Sequence, residues 1–227
     1  MNILIIDDEK EISDLLNYYF KAEKYTVWTA TNANEGFSII EEKDIDLLLL
    51  DVMLPGQDGF SFLQILRSTY QFPVIMLTAK VDDIDKINGL TLGADDYITK
   101  PFNPLEVVAR VKSQLRRVKL YENNKKNEQS YIDIRALHIN LLSKQVKLKE
   151  QILHLTPIEY DILLHLAENK GKVVSSEEIF EKVWGEQFLK CNNTVMTHIA
   201  RLREKLGENA RKPDIVKTVW GVGYIIE

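Results

Sequence analysis

Residues 46–56 read Asp-Leu-Leu-Leu-Leu-Asp-Val-Met-Leu-Pro-Gly. An unbroken apolar run of strand length fits a strand buried on both faces, because a half-exposed strand would alternate apolar and polar residues. Pro55 and Gly56 close the segment, and Asp51 stands directly after the run. The pattern recurs on either side. Short apolar runs lie at 2–6, 46–50 and 73–77, a weaker one at 95–99, and Tyr-Thr-Val-Trp-Thr at 25–29 is a further candidate strand. Helical spacings fill the gaps: Ile12, Leu15, Leu16 and Tyr19 share one face, as do Leu105, Val108, Val111 and Leu115. Five strands interleaved with five helices predict an α/β fold, a (βα)5 doubly wound parallel sheet covered on both faces.

The periodicity stops at Lys-Leu-Tyr-Glu-Asn-Asn-Lys-Lys-Asn-Glu-Gln-Ser, residues 119–130, which reads as a linker. The expected division is a first domain at 1–118 and a second at 131–227. Short alternating segments near 131–154 suggest a small antiparallel sheet. Thr156-Pro157-Ile158-Glu159 is a capping box with proline at the first helical position. The helix it opens turns Ile162, Leu163 and Leu166 inward and stops near Gly171. Ser175 or Ser176 caps a second helix, through about Trp184, and a third runs from about Asn193 to Leu206. The Gly-broken stretch from Ile215 to Ile226 predicts a hairpin.

The 227 residues suit two domains, with 45% apolar residues for two cores. The single Cys191 excludes an internal disulfide framework and a cysteine-based zinc cluster. The first residues lack a basic n-region and turn acidic, so no signal peptide is expected. No apolar stretch reaches ~18 residues, so no membrane insertion is expected and the compartment implied is the cytoplasm. The net charge of −5 is uneven: −6 over 1–119, 0 over 120–128 and +1 over 129–227. An acidic front and a near-neutral back imply different partners.

In open parallel sheets ligands bind beyond the carboxyl ends of the strands. Asp7 and Asp8 follow the first strand, Asp51 the third, Thr78 the fourth and Lys100 the fifth. Three carboxylates at one rim repel one another and call for a cation; hard oxygen donors at an open rim suit Mg²⁺. Asp51 is then the nucleophile toward a phosphoryl donor, with Asp8 and Asp51 holding the ion and Asp7 acting through water. Lys100 pairs with a phosphoryl oxygen and Thr78 donates a hydroxyl hydrogen bond to another. In the second half, Val195, Ile199, Leu202 and Leu206 form an apolar stripe, leaving Met196, Thr197, His198, Ala200, Arg201, Arg203 and Glu204 on the open side. Such a helix after a short helix fits the recognition position of a helix-turn-helix. Arg201 is the expected base contact, since arginine reads guanine bidentately. Arg203, His198 and Thr194 are expected at phosphates.

Four runs, Ile-Asp-Asp-Glu (6–9), Leu-Leu-Leu-Asp-Val-Met-Leu-Pro-Gly (48–56), Leu-Thr-Ala-Lys (77–80) and Gly-Ala-Asp-Asp-Tyr-Ile-Thr-Lys-Pro-Phe (93–102), resemble those of two-component response-regulator receivers. The resemblance implies phosphoryl transfer from a membrane sensor histidine kinase to Asp51. It implies Mg²⁺ ligation by Asp8, Asp51 and the Met53 carbonyl, a switch in which Thr78 moves and Tyr97 turns inward, and a cis Lys100–Pro101 peptide. Leu-Thr-Pro-Ile-Glu-Tyr-Asp-Ile-Leu (155–163), Val-Ser-Ser-Glu-Glu-Ile (174–179) and Lys-Thr-Val-Trp-Gly-Val-Gly-Tyr (217–224) resemble the winged-helix effector of the OmpR/PhoB class.

The class resemblance implies an isologous dimer on phosphorylation, pairing Lys86 with Glu106, Asp96 with Arg110 and Asp95 with Arg117, all read as exposed. It also implies double-stranded promoter DNA and RNA polymerase as partners. The wing would place Thr218 near the DNA backbone, with Gly221 and Gly223 permitting its turn. The chain departs from many members at Asn193, Ala200 and Trp220, where a basic residue is common. Those positions predict fewer phosphate contacts and more reliance on dimerisation. Asn192-Asn193-Thr194 and the Val-Trp-Gly-Val-Gly-Tyr ending are most similar to VanR-type regulators, which act with a membrane sensor kinase on glycopeptide-resistance genes. Two other readings stay open: a DNA binder with a vestigial receiver, and an aspartyl-phosphate phosphatase. The latter usually needs a second acid two positions past the nucleophile, where this chain has Met53. Slow self-dephosphorylation is the most turnover expected.

Overall fold

The computed structural model describes residues 1–79, 92–122, 131–185, 194–209 and 212–227. The chain divides into two compact units, Met1–Arg116 and Arg117–Glu227. Lys86 and Asn193 lie outside the described residues, and so does the side chain of Arg117.

The first unit holds five parallel strands, β1 (Asn2–Ile6), β2 (Thr26–Ala30), β3 (Leu47–Asp51), β4 (Val74–Thr78) and β5 (Asp96–Thr99), in the order β2-β1-β3-β4-β5. Each lies within a residue or so of its expected span. Successive strand side chains point to opposite faces, and the apolar runs divide accordingly. Leu4, Ile6, Leu48, Leu50, Val74 and Met76 pack against α2 (Ala33–Glu42) and α3 (Gly59–Arg67). Ile3, Ile5, Leu47, Leu49, Ile75 and Leu77 face α1 (Lys10–Ala22) and α4 (Pro104–Glu122). A strand covered on both faces cannot alternate with polar residues, which is why β3 reads as four leucines and one aspartate. The helix expected between β4 and β5 falls largely on residues outside the described ones.

Two features of this unit position the site. Asp58 caps α3, accepting from the Ser61 amide at 2.8 Å. A side chain at Gly59 would put its Cβ 2.2 Å from the Asp51 carbonyl oxygen, so only glycine lets α3 start this close to the tip of β3. The helix α4 continues to Glu122, into the segment expected as linker from residue 119. Nothing in Lys-Leu-Tyr-Glu breaks a helix, and extending a formed helix is easier than starting one.

The second unit opens with a four-stranded antiparallel sheet, β6 (Tyr131–Ile134), β7 (Leu137–Asn140), β8 (Val146–Leu148) and β9 (Gln151–Leu153). Three helices follow: α5 (Pro157–Glu168), α6 (Ser176–Trp184) and α7 (Thr194–Lys205). The capping box at Thr156 and Glu159 is present, and Ser175 caps α6 through the Glu178 amide at 3.0 Å. The chain ends in the hairpin of β10 (Val216–Val219) and β11 (Gly223–Ile226). Its turn uses Gly221 in the left-handed region, at φ 75°. Gly223 serves a different purpose from the one expected. Its φ is not left-handed, but an added Cβ would lie 2.0 Å from the Val174 carbonyl oxygen. There β11 is held to residue 174 by two backbone hydrogen bonds between Val174 and Tyr224, of 2.8 and 2.9 Å. No described helix is long and apolar enough to cross a membrane.

Candidate functional site

The carboxyl ends of β1, β3, β4 and β5 bring the expected rim residues together. Asp7 is fully buried, Asp51 is 3% exposed, and Asp8 points to solvent. One oxygen from each of Asp7, Asp8 and Asp51 falls within a sphere where all lie within 4.8 Å of one another. The Asp51 carboxylate is used on both sides. Oδ1 accepts the Met53 amide at 3.0 Å, and Oδ2 accepts the Lys100 ammonium at 2.7 Å. Lys100 also stands 2.8 Å from Asp7 Oδ2 and 2.9 Å from Glu9 Oε1. Nothing in the residue pattern around Glu9 marks it as a partner of Lys100. Only its place one residue beyond the Asp7-Asp8 pair hints that it reaches the same ammonium.

The electrostatics follow from crowding. Burial opposes the charge on Lys100, but Asp51, Asp7 and Glu9 outweigh it and hold its pKa above the ordinary lysine value. Asp7 is also shifted upward, but for the opposite reason: burial raises its carboxyl above 3.8, more than Lys100 and the Glu9 amide lower it. Three carboxylates on one ammonium, with Asp8 beside two of them, leave the rim short of positive charge. The donor set is all oxygen, partly buried and open on the Asp8 side, which fits a hard divalent cation. Thr78 ends β4, buried, with its carbonyl accepting the Lys100 amide at 2.6 Å. Tyr97 is half-buried on β5, opposite Met76. The Lys100–Pro101 peptide is cis.

The charges expected to be exposed near β5 are arranged otherwise. Asp95 is fully buried, its Oδ2 taking 2.9 Å contacts from both Arg67 Nη2 and the Val74 amide. Arg67 further donates to the carbonyls of Gly93, Tyr70 and Phe72 at 2.8, 3.2 and 2.9 Å, tying the end of α3 to the approach to β5. Asp95 is therefore an internal anchor, not a surface charge. Asp96 is 7% exposed and sits 3.0 Å from Arg110, which also lies 3.1 Å from Glu106.

The second unit corrects the expected DNA face. The stripe of Val195, Ile199, Leu202 and Leu206 is buried as expected. However, Thr194, Thr197, His198 and Arg201 are buried too, at 3%, 6%, 0% and 8% exposure. Arg201 Nη2 lies 3.1 Å from Glu159 Oε1, close enough for an ion pair though not aligned as a hydrogen bond. The His198 ring packs 5.5 Å from that of Trp184. Arg203 turns to the hairpin, donating to the Val216 carbonyl at 2.8 and 2.7 Å and to Thr218 Oγ1 at 2.8 Å. The face of α7 left open carries Met196, Ala200 and Glu204, and Trp220 at the hairpin tip is 90% exposed.

An acidic rim on a parallel (βα) sheet, followed by a capped three-helix unit with a terminal hairpin, is the architecture of a phosphorylation-controlled transcription regulator. Comparison with known proteins agrees. Residues 3–112 match the response regulator receiver domain, and residues 149–226 match the C-terminal domain of transcriptional regulatory proteins. The chain belongs to the two-component response regulators of the OmpR/PhoB class, with a DNA-binding effector domain. Within that class it is 56% identical to regulatory protein VanRc of Enterococcus gallinarum, over 99% of this chain and 98% of the relative. It is 50% identical to regulatory protein VanR of Enterococcus faecium, with the same coverage. The crystal structure of response regulator DrrB, an OmpR/PhoB homolog of Thermotoga maritima, is 34% identical with a TM-score of 0.51, over 99% of this chain and 98% of that one.

Proposed function

We propose that Asp51 accepts a phosphoryl group from a membrane sensor histidine kinase, and that the modified receiver promotes dimerisation and promoter binding. The observation that carries this is the Lys100 ammonium held by Asp51, Asp7 and Glu9 beside the open Asp8. In the transfer, a carboxylate oxygen of Asp51 forms the new O–P bond as the P–N bond of phosphohistidine breaks. The imidazole leaves with the electron pair and takes up a proton. Mg²⁺ would be held by Asp8, Asp51 and the Met53 carbonyl, with Asp7 through water. When bound, it supplies charge neutralisation for the transferring group. Lys100 cannot serve Asp51 and the phosphoryl group in the same position. It moves from Asp51 Oδ2 to a phosphoryl oxygen, and the Thr78 hydroxyl turns to another. Tyr97 fills the space Thr78 vacates, reshaping the β5–α4 face.

On that face Arg110 of one copy pairs with Asp96 of the other, and Lys86 with Glu106, across a two-fold axis. Asp95 stays with Arg67. The effector then engages duplex DNA through the open side of α7 and through the wing, with Thr218 and Trp220 beside the backbone. The target genes are those of glycopeptide resistance and the cell wall, the protein works in the cytoplasm, and RNA polymerase is the downstream partner. The receiver has no acid at Met53, so it turns over only by slow self-dephosphorylation.

The test is DNA affinity of wild type and Asp51→Ala, with and without a small phosphoryl donor and Mg²⁺. Donor-dependent tightening in wild type alone is expected, together with a shift to dimer in sedimentation. Equal affinities in all four conditions would refute the regulatory reading and leave an unregulated DNA binder.

A further inference from the structure

Resting on the DNA-binding reading of α7, we propose that this helix reads thymine methyl groups through Met196 and Ala200, and does not read guanine through Arg201. The rotation of α7 about its axis decides the matter. Glu159, fully buried at the third position of α5, has Oε2 accepting the Thr156 amide at 2.9 Å and the Lys205 ammonium at 2.6 Å. Its Oε1 faces Arg201 at 3.1 Å. Two cations one turn apart on α7 are thus drawn to one carboxylate inside the unit. Reaching for a base would pull Arg201 away from a buried carboxylate, an outcome that breaking a buried ion pair makes costly.

With Arg201 and Lys205 turned in, the residues turned out are Met196, Ala200 and Glu204, spaced by four and so on one face. Met196 is 56% exposed although it is a large apolar side chain. In the major groove an apolar side chain has one distinctive partner, the C5-methyl group of thymine. Methionine is unbranched and polarizable and adapts to such a surface. Ala200, one turn on, is small enough to let the helix backbone approach the groove and adds a methyl of its own. A net charge of only +1 over residues 129–227 adds little general attraction for phosphates, so contacts to base edges carry a larger share of the binding.

The experiment selects binding sites for the full-length protein from a random duplex library, with and without phosphoryl donor. The selected duplexes are then remade with deoxyuridine in place of thymidine, which removes only the methyl group. Thymine-rich half-sites are expected, with affinity falling ~4-fold for each contacted methyl removed, the loss expected for one buried methylene-sized group. Met196→Ala should weaken the thymine duplex and leave the uracil duplex unchanged, and Met196→Leu should keep the preference. Met196 is exposed, so unchanged thermal melting of both variants separates recognition from folding. Selected sites that tolerate uracil, or a guanine preference lost with Arg201→Ala, would overturn the inference and leave DNA binding standing. No enrichment of any duplex, with or without donor, would overturn the DNA-binding reading and the inference with it.

Discussion

The rim of the receiver and the open face of α7 carry equally plain side chains, but only the first lies where chain order would place it. Asp7, Asp8, Asp51 and Lys100 meet because strand ends in a parallel sheet all arrive at one edge, whatever the neighbouring residues prefer. On α7 the same kind of reasoning puts Arg201 outside, and the structure puts it inside. A helix can rotate, and small differences in packing decide which of its borderline residues face the core. Here one buried carboxylate on α5 meets both Arg201 and Lys205, and nothing within α7 announces it.

The rim depends most heavily on Lys100. Lys100→Met leaves Asp7 and Asp51 buried without their cation, and should cost ~3–5 kcal/mol in urea unfolding without divalent ions. Added Mg²⁺ should restore much of the loss. A cost under about 1 kcal/mol, at the level of exposed pairs, would mean the rim is not held together by this ammonium. On the other side, Glu159→Ala should cost about 2–4 kcal/mol, combining a lost capping interaction with a broken buried ion pair. Glu159→Gln keeps the capping geometry and should recover part of it. If both variants melt like wild type, the rotation of α7 has another cause.

A smaller effect is expected from the Asp7 carboxyl. Burial first, and the Asp51 charge in addition, raise the Asp7 carboxyl above 3.8, against the pull of Lys100 and the Glu9 amide. The folded protein therefore favours protonated Asp7. Its contribution to stability falls as pH rises from 3.8 through the raised value and is constant above it. Divalent-ion affinity should move in the opposite sense, weakening as pH drops through that same raised value. Carboxyl titration by NMR reports it directly, and a midpoint for Asp7 at or below 3.8 would contradict the burial argument. The smallest stability effect is at the wing. Trp220 is 90% exposed, so Trp220→Ala should change unfolding free energy by no more than ~0.5 kcal/mol. DNA affinity should nonetheless fall several-fold in a titration. A large stability loss would place Trp220 in the packing rather than at the ligand.

Neighbouring residues of one type can take different partners. Asp95 and Asp96 are adjacent and chemically identical in sequence. Asp95 immediately precedes β5, where its carboxylate caps the Val74 amide and receives Arg67 from α3. Asp96 begins the strand and meets Arg110. Both are buried, but they have different cations: the partner of Asp95 is Arg67, 28 residues earlier, and no local pattern encodes that distance. Arg203 was legible as a cation on α7 but not as the bracket of the wing, because its acceptors on Val216 and Thr218 belong to a hairpin that closes only in three dimensions.

The five strands, the capped helices, the terminal hairpin and the set of residues at the strand ends are written in the chain itself, because period, capping chemistry and strand order are local properties. Packing in three dimensions is what joins Glu9 to Asp7 and Asp51 on Lys100, buries Asp95 with Arg67, and turns Met196 outward and Arg201 inward on α7. Those outcomes depend on which charges find a partner when distant segments pack, and a buried carboxylate fixes its cation wherever in the chain that cation lies.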